Sequence, residues 1–129
     1  EPERGAAIVF RYPQSPAQFF IKRIVGLPGE SITITNGQVV VKNTQYPHGA
    51  VLDESSYLAP TIRTGGTVSL ALADDEYFVL GDNREASSDS RSWGALPRHD
   101  VIGRVWLRAW PFTRWGVLRW ERSGFVNLN

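Results

Sequence analysis

The sequence contains no cysteine and no methionine, and only two of its 129 residues are histidine. The absence of cysteine excludes disulfides, thiolate nucleophiles and cysteine-based zinc sites. No apolar run approaches the roughly 18 to 20 residues that a membrane-spanning helix requires. Since the chain begins with Glu1-Pro2 and lacks methionine, we expect it to be an excised fragment of a larger protein.

The composition that remains is that of an ordinary globular domain. Apolar residues make up 42% of the chain and charged residues 21%, and the formal net charge is +1. These proportions provide enough apolar mass for a core and argue against disorder. The length predicts one domain spanning residues 1–129.

Short β-branched and aromatic runs separated by glycine and proline predict a mostly β domain with long loops and no helix longer than two turns. The clearest hairpin joins residues 31–35 to residues 38–42, because Asn36-Gly37 tolerates positive φ at both positions. An irregular connection that leaves room for a short strand is predicted for residues 43–66. The other predicted strands are 6–11, 19–25, 67–72, 76–80 and 101–108.

Lys22 is the first candidate for chemistry. Side chains alternate along a strand, so Phe20 and Ile24 share its face, and burial between them would lower the pKa of the lysine. A general base near neutral pH needs such a pKa, and arginine could not take this role because it does not give up its proton. Only two of the fourteen basic residues are lysine. The alternative is a surface lysine whose ammonium reaches water past its neighbours.

Two segments together resemble signature boxes of type I signal peptidases, the membrane-anchored serine proteases that remove signal peptides from exported proteins. The first is residues 20–29, which end in Gly-Leu-Pro-Gly, and the second is residues 81–94, which begin with Gly-Asp-Asn-Arg. Residues 4–10 and 101–112 also fit, although Ala6 stands where the family commonly has aspartate. The resemblance covers most of the chain and implies a signal-peptidase-like fold of antiparallel sheets.

The resemblance implies a Ser-Lys endopeptidase in which Lys22 is the general base and Ser87 hydrogen-bonds to the lysine and orients it. A turn-capping hydroxyl is the alternative for Ser87. Residues 81–94 form a polar loop, and we expect Arg23 to pair with one carboxylate of this loop. Neither a cofactor nor a metal is implied. The residues expected to support the site through ion pairs and hydrogen bonds are Arg23, Asp82, Asn83, Arg84, Asp89 and Arg91.

The family's nucleophilic serine lies upstream of these segments, in a Ser-Met-like motif that is absent from this sequence. We therefore expect the chain alone to be inactive, with the nucleophile, an oxyanion-hole amide and a transmembrane anchor supplied by the parent protein. The serines that lie in no such motif are Ser15, Ser31, Ser55, Ser56, Ser69, Ser88, Ser90, Ser92 and Ser123.

The resemblance also implies partners and a location. Signal peptides of exported preproteins would bind as an added strand and place small side chains in two shallow apolar pockets. The matching positions are Val9, Phe20 and Ile21, for which plain core packing is an equally open interpretation. The parent protein would lie in the cell membrane, with its catalytic domain on the extracytoplasmic side.

Residues 104–122 combine four of the five tryptophans with five arginines. This composition suits a membrane interface, where indoles straddle apolar and wet regions and guanidinium groups meet lipid phosphate. Packing at the domain edge and stacking on single-stranded nucleic acid are the alternatives. Packing is the first interpretation, and the membrane-proximal location of the signal peptidase family makes a lipid surface the expected partner. The net charge of +1 is far from that of a basic binder, so no nucleic acid is expected as partner.

Two other functions stay open. One is a cytosolic self-cleaving repressor-type peptidase, which shares the Ser-Lys logic, although the Gly-Asp-Asn-Arg segment and the tryptophan-rich end argue against it. The other is a non-catalytic β domain that binds peptide or lipid. A Ser-His-Asp hydrolase is disfavoured, because His48 and His99 have no recognisable nucleophile motif around them.

Overall fold

Two antiparallel sheets make up the fold in this computed structural model, which describes residues 1–106, 117–120 and 125–127. The larger sheet has the strand order β11-β10-β9-β1-β2-β7-β8 and the smaller has the order β5-β4-β3-β6. The strands of the larger sheet are β1 (Ala7–Tyr12), β2 (Ser15–Gly26), β7 (Glu76–Leu80), β8 (Leu96–Pro97), β9 (Val101–Trp106), β10 (Val117–Trp120) and β11 (Phe125–Asn127). Those of the smaller sheet are β3 (Ser31–Thr35), β4 (Gln38–Lys42), β5 (Ala50–Val51) and β6 (Val68–Ala71).

Helix is scarce, as predicted. The described residues contain α1 (Ser90–Trp93) and a 3-10 turn (Arg98–Asp100). Neither is long and apolar enough to cross a membrane. The predicted mostly β class with little helix is therefore confirmed.

The β3–β4 hairpin forms where the sequence predicts it. Its turn residues adopt positive φ, 52° at Asn36 and 77° at Gly37, and Thr35 pairs with Gln38 across the turn. Two consecutive positive φ values give a turn whose twist matches that of the flanking strands. The Asn-Gly pair thus determines the register between β3 and β4.

The strand that carries Lys22 is longer than predicted. It begins at Ser15, which pairs with Tyr12, although the sequence predicts a start at residue 19. The register between β1 and β2 shifts between Arg11 and Tyr12, so Pro16 falls in an irregular stretch of the ladder. A proline is tolerated there because few ladder hydrogen bonds depend on its missing N–H. The predicted strand 101–108 is observed as β9 as far as Trp106, and residues 107 and 108 lie outside the described part of the chain.

Strand β7 is buried on both faces, which explains its continuous apolar run. Phe78 and Leu80 join the core between the two sheets, whereas Tyr77 and Val79 face a second cluster beneath β1. Full burial of one such side chain contributes about 1.5–3 kcal/mol.

Gly26 allows the sheets to approach each other at the end of β2. A Cβ at this position would lie 2.7 Å from the Ile32 side chain and 2.9 Å from Phe78 Cβ. Only glycine fits such a close approach. The contact fixes the end of the strand on which the candidate site is built.

Candidate active site

Lys22 and Ser87 lie together although 65 residues separate them in the sequence. Lys22 Nζ donates a hydrogen bond to Ser87 Oγ at 3.0 Å. Strand β2 carries the lysine, and the serine comes from the loop that follows β7. The ammonium lies 5.5 Å from the centre of the Phe20 ring, on the face that the strand alternation predicts. The structure therefore brings together the two residues that the sequence singles out for chemistry.

The surroundings of Lys22 lower its pKa from the ordinary value. Burial is the largest cause, because removal from water disfavours the charged form. The charges of Asp89 and Asp82 act in the opposite direction, and the charge of Arg91 lowers the pKa further. A lysine in this state is partly neutral closer to physiological pH, as a proton acceptor must be.

Gly81 makes the approach of Ser87 to Lys22 possible. A Cβ on Gly81 would overlap Ser87 Oγ and lie 2.6 Å from Ser87 Cβ and 3.4 Å from Lys22 Nζ. The backbone of this glycine is held on both sides: its N–H donates to Asp89 Oδ2 at 3.1 Å, and its carbonyl accepts from Arg84 Nε at 2.9 Å. Its position thus sets the space available to the pair.

Asp89 closes the loop at its far end. It caps α1 by accepting from the Arg91 backbone N–H at 3.1 Å, and it forms an ion pair with the Arg91 guanidinium at 2.8 Å. Burial acts to raise the pKa of Asp89, but the Arg91 guanidinium and the Gly81 N–H outweigh it and hold the pKa below the usual range. The carboxylate therefore stays ionised and keeps its donors in place.

Arg23 ties the start of the loop to β2. Its guanidinium binds Asp82 through two contacts, Nε–Oδ1 at 2.9 Å and Nη2–Oδ2 at 2.7 Å, and donates to the Gly5 carbonyl at 2.8 Å. The Tyr57 ring lies 4.2 Å from the guanidinium. Two-point pairing of this kind fixes orientation as well as distance.

Arg84 has partners that the sequence did not indicate. Its guanidinium donates to both carboxylate oxygens of Glu54, at 2.9 and 2.6 Å, and to Thr64 Oγ1 at 2.7 Å. Both partners come from the stretch predicted only as an irregular connection, and no local motif marks either one. Asn83 is exposed at the turn, where its carbonyl accepts from the Ala86 N–H at 3.2 Å.

The three predicted substrate positions do not lie together. Val9 and Ile21 are directly paired across β1 and β2 and so share one face. Val9 is buried and Ile21 is half-buried. Phe20 lies on the opposite face, that of the lysine, where it stacks on Tyr12 at 4.5 Å and meets the Phe10 ring edge-on at 6.1 Å. Its contacts are those of an aromatic cluster.

Two further points concern the C-terminal stretch and metal binding. The side chains of the tryptophan- and arginine-rich stretch from Trp106 onward lie outside the described part of the structure. Among the residues that are described, no group of three or more histidine, aspartate or glutamate side chains is arranged to hold a metal ion.

Comparison with known proteins gives concordant matches. The profile of the family described as "Signal peptidase, peptidase S26" matches residues 1–110. The chain is 41% identical over 123 residues to the probable signal peptidase I-2 of Synechocystis sp., a match that covers 92% of this chain and 53% of that protein. It is 39% identical over 124 residues to the signal peptidase I of Leptolyngbya laminosa, with 91% and 57% covered. The chain thus spans a little more than half the length of these relatives.

A solved structure shares the fold. The crystal structure of a signal peptidase I from Enterococcus faecalis aligns with a TM-score of 0.64 at 27% identity. The alignment covers 81% of this chain and 96% of that chain.

Proposed function

Because the chain belongs to the signal peptidase family, peptidase S26, and has the fold of its members, we propose that it provides the general-base side of a Ser-Lys endopeptidase. The substrates are signal peptides of exported preproteins. The observation that carries this proposal is the half-buried Lys22, whose Nζ lies 3.0 Å from Ser87 Oγ. The network around Gly81, Asp89 and Arg91 gives that contact a fixed geometry.

Each proposed step transfers a proton to or from Lys22 Nζ. The neutral amine accepts the proton of a serine hydroxyl as its oxygen attacks the peptide carbonyl, and the resulting ammonium then protonates the departing amine. Ser87 orients the amine for both transfers, since a lysine has several rotamers to lose. The attacking serine and the oxyanion-hole amide belong to a segment of the parent protein outside residues 1–129.

The proposed substrate position lies along β2. Among the described residues, β7 pairs with β2 only from Arg23 to Gly26, so residues 19–22 have a strand partner on one side only. An extended peptide can add to such an edge through its backbone hydrogen bonds. The side chains of Val9 and Ile21, on one face of this strand pair, are proposed to line the shallow apolar pockets.

The proposed setting is a larger membrane-anchored protein of the cell membrane, in which residues 1–129 form a single catalytic domain on the extracytoplasmic side. The greater length of the relatives supports a larger parent protein. Contact with lipid, but not with nucleic acid, is proposed for residues 104–122 on the basis of their tryptophans and arginines and a net charge of only +1.

The test is cleavage of a fluorogenic signal-peptide substrate in detergent by the full-length parent protein. Lys22→Ala is expected to lower kcat/KM by about 100- to 10,000-fold, because the proton acceptor is lost. Lys42→Ala is the matched control, since Lys42 is the other lysine of the chain and lies exposed on β4. Its activity is expected to equal that of the wild type.

Three results would count against the proposal. Equal activity of Lys22→Ala and the wild type, with both folded, would remove Lys22 from the mechanism. No cleavage by a well-folded wild type would favour a β domain that binds peptide or lipid without catalysis. Equal losses in Lys22→Ala and Lys42→Ala would indicate a general effect of lysine replacement.

A further inference from the structure

A buried arginine joins two distant parts of the chain beside the Lys22–Ser87 pair. The Arg84 side chain is 0% exposed, and that of Glu54, its ion-pair partner, is 11% exposed. The desolvation penalty of a buried guanidinium is offset only where an anion and further hydrogen-bond acceptors surround it. Glu54 supplies both oxygens of its carboxylate, and Thr64 adds a third acceptor. The position of Arg84 therefore depends on Glu54.

The arginine in turn holds the backbone against which the pair is packed. Arg84 Nε donates to the Gly81 carbonyl at 2.9 Å. Gly81 lies so close to Ser87 and Lys22 that a single added Cβ would overlap the serine hydroxyl. Packed groups transmit displacement rather than absorb it. A shift of the Gly81 carbonyl is consequently passed on to the contact between Ser87 Oγ and Lys22 Nζ.

We propose that Glu54 is a positioning residue for the Lys22–Ser87 pair and acts through Arg84 and Gly81. Glu54 itself touches neither member of the pair, and its effect is to keep the Gly81 carbonyl where the serine and the amine can meet. The catalytic consequence rests on the proposed function, but the geometric consequence does not.

A second ion pair provides a matched comparison. Arg4 binds Glu30 through two contacts of 2.6 and 2.7 Å, and the Glu30 side chain is 7% exposed. Glu30 also accepts from the Leu27 N–H and from Asn43 Nδ2. These partners belong to the turn before β3 and the end of β4, away from the polar loop. Glu54→Gln and Glu30→Gln thus remove the same charge from the same kind of pair, and of the two arginines only Arg84 hydrogen-bonds directly to Gly81.

The test is an NMR pH titration of the full-length protein labelled with ¹³C,¹⁵N-lysine. Lys22 and Lys42 are the two lysines of this chain, and the signal that disappears in Lys22→Met assigns the first of them. A displaced Gly81 opens the site to water, which favours the charged amine. In Glu54→Gln we therefore expect the pKa of Lys22 to rise toward its ordinary value, whereas in Glu30→Gln we expect the Lys22 titration to match that of the wild type.

Activity provides the second readout. Glu54→Gln is expected to lower kcat/KM about 100-fold at neutral pH, as a misplacement of about 1 Å does. The acid limb of the pH–rate profile should move to higher pH, because a base with a higher pKa is neutral only at higher pH. Glu30→Gln should match the wild type at temperatures well below its own Tm.

The outcomes separate this proposal from the proposed function. An unchanged Lys22 titration in Glu54→Gln, or an equal shift in Glu30→Gln, would overturn the positioning role. If the wild type cleaves no signal peptide, the proposed function fails, while the titration still decides the role of Glu54. Should Glu54→Gln not fold, the double variant Glu54→Leu/Arg84→Met leaves no uncompensated buried charge and removes the donor to the Gly81 carbonyl, and an unshifted Lys22 in that variant would also overturn the role.

Discussion

Gly81 occupies a position that has no room for a side chain. Its φ is not in the left-handed region, so an alanine would meet no backbone strain there. The obstacle is the Ser87 side chain, which occupies the volume that a Cβ would need. Space for Ser87 therefore accounts for the glycine.

Gly81→Ala is expected to push Ser87 away from Lys22. The overlap should lower the free energy of unfolding by about 1–3 kcal/mol, as overpacking does, and lower kcat/KM about 100-fold through the displaced serine. Gly65→Ala is the control, because a Cβ there has nothing within 4 Å and the φ of Gly65 is also not positive. Denaturant unfolding and substrate cleavage check both variants. Equal behaviour of the two alanines would contradict the steric argument.

Burial of Lys22, which lowers its pKa as a base requires, should also lower the free energy of unfolding at neutral pH. Its folded-state pKa is lowered, so between that value and the ordinary value of about 10.4 the unfolded chain binds more protons than the folded one. Stability therefore rises with pH across this window.

Lys22→Met, which buries no charge, is expected to have a higher Tm than the wild type at pH 7. The difference should shrink as the pH rises through that window, because the wild type gains stability there and the variant does not. Thermal unfolding of the wild type and of Lys22→Met between pH 6 and pH 10.5 measures this difference. Parallel curves for wild type and Lys22→Met would be inconsistent with a depressed pKa.

Among the strands, those with a local signal were predictable. Asn36-Gly37 determines its hairpin through backbone conformations that few other pairs adopt, and the apolar run of residues 76–80 gave the bounds of β7 correctly. The two-residue strands β5 and β8 carry no such signal, because their pairing depends on neighbours that the rest of the fold brings to them. The strands β10 and β11 were likewise not predicted.

The same distinction applies to the candidate site. Alternation along β2 was enough to predict the face of Lys22, and a motif was enough to single out Ser87. Glu54 and Thr64 could not be found in this way, because they lie in irregular chain and reach Arg84 only once both sheets have formed. The substrate contact suggested for Phe20 stays a prediction: in the structure its neighbours are the aromatic side chains of Phe10 and Tyr12.

At the level of the whole molecule, buried ion pairs tie residues outside the strands to one another and, through Arg23, to β2. Such pairs add little net stability, because desolvation offsets most of their attraction, but breaking one leaves an uncompensated charge. They consequently determine where loops lie rather than how stable the molecule is. Among the residues that the structure describes, such pairs are Arg4–Glu30, Arg23–Asp82, Arg84–Glu54 and Arg91–Asp89.

Two of these carboxylates should govern stability in acid. Burial acts to raise the pKa of Glu30, but Arg4, Asn43 and the Leu27 N–H outweigh it, so the pKa lies below its ordinary value, as that of Asp89 does. A depressed pKa contributes stability that is present above the unfolded value of about 4 and is lost as the pH falls through the folded value.

We therefore expect the Tm of the wild type to fall steeply below about pH 4, where these carboxylates take up protons on unfolding. Glu30→Gln should be less stable than the wild type at pH 7 and lose less on acidification, so that the two curves converge as the pH falls through the lowered folded-state pKa of Glu30. Thermal unfolding from pH 7 to pH 2.5 tests this. Curves that stay a constant distance apart would show that the Glu30 carboxyl has the same pKa in the folded and unfolded chains, and would assign the acid sensitivity to other groups.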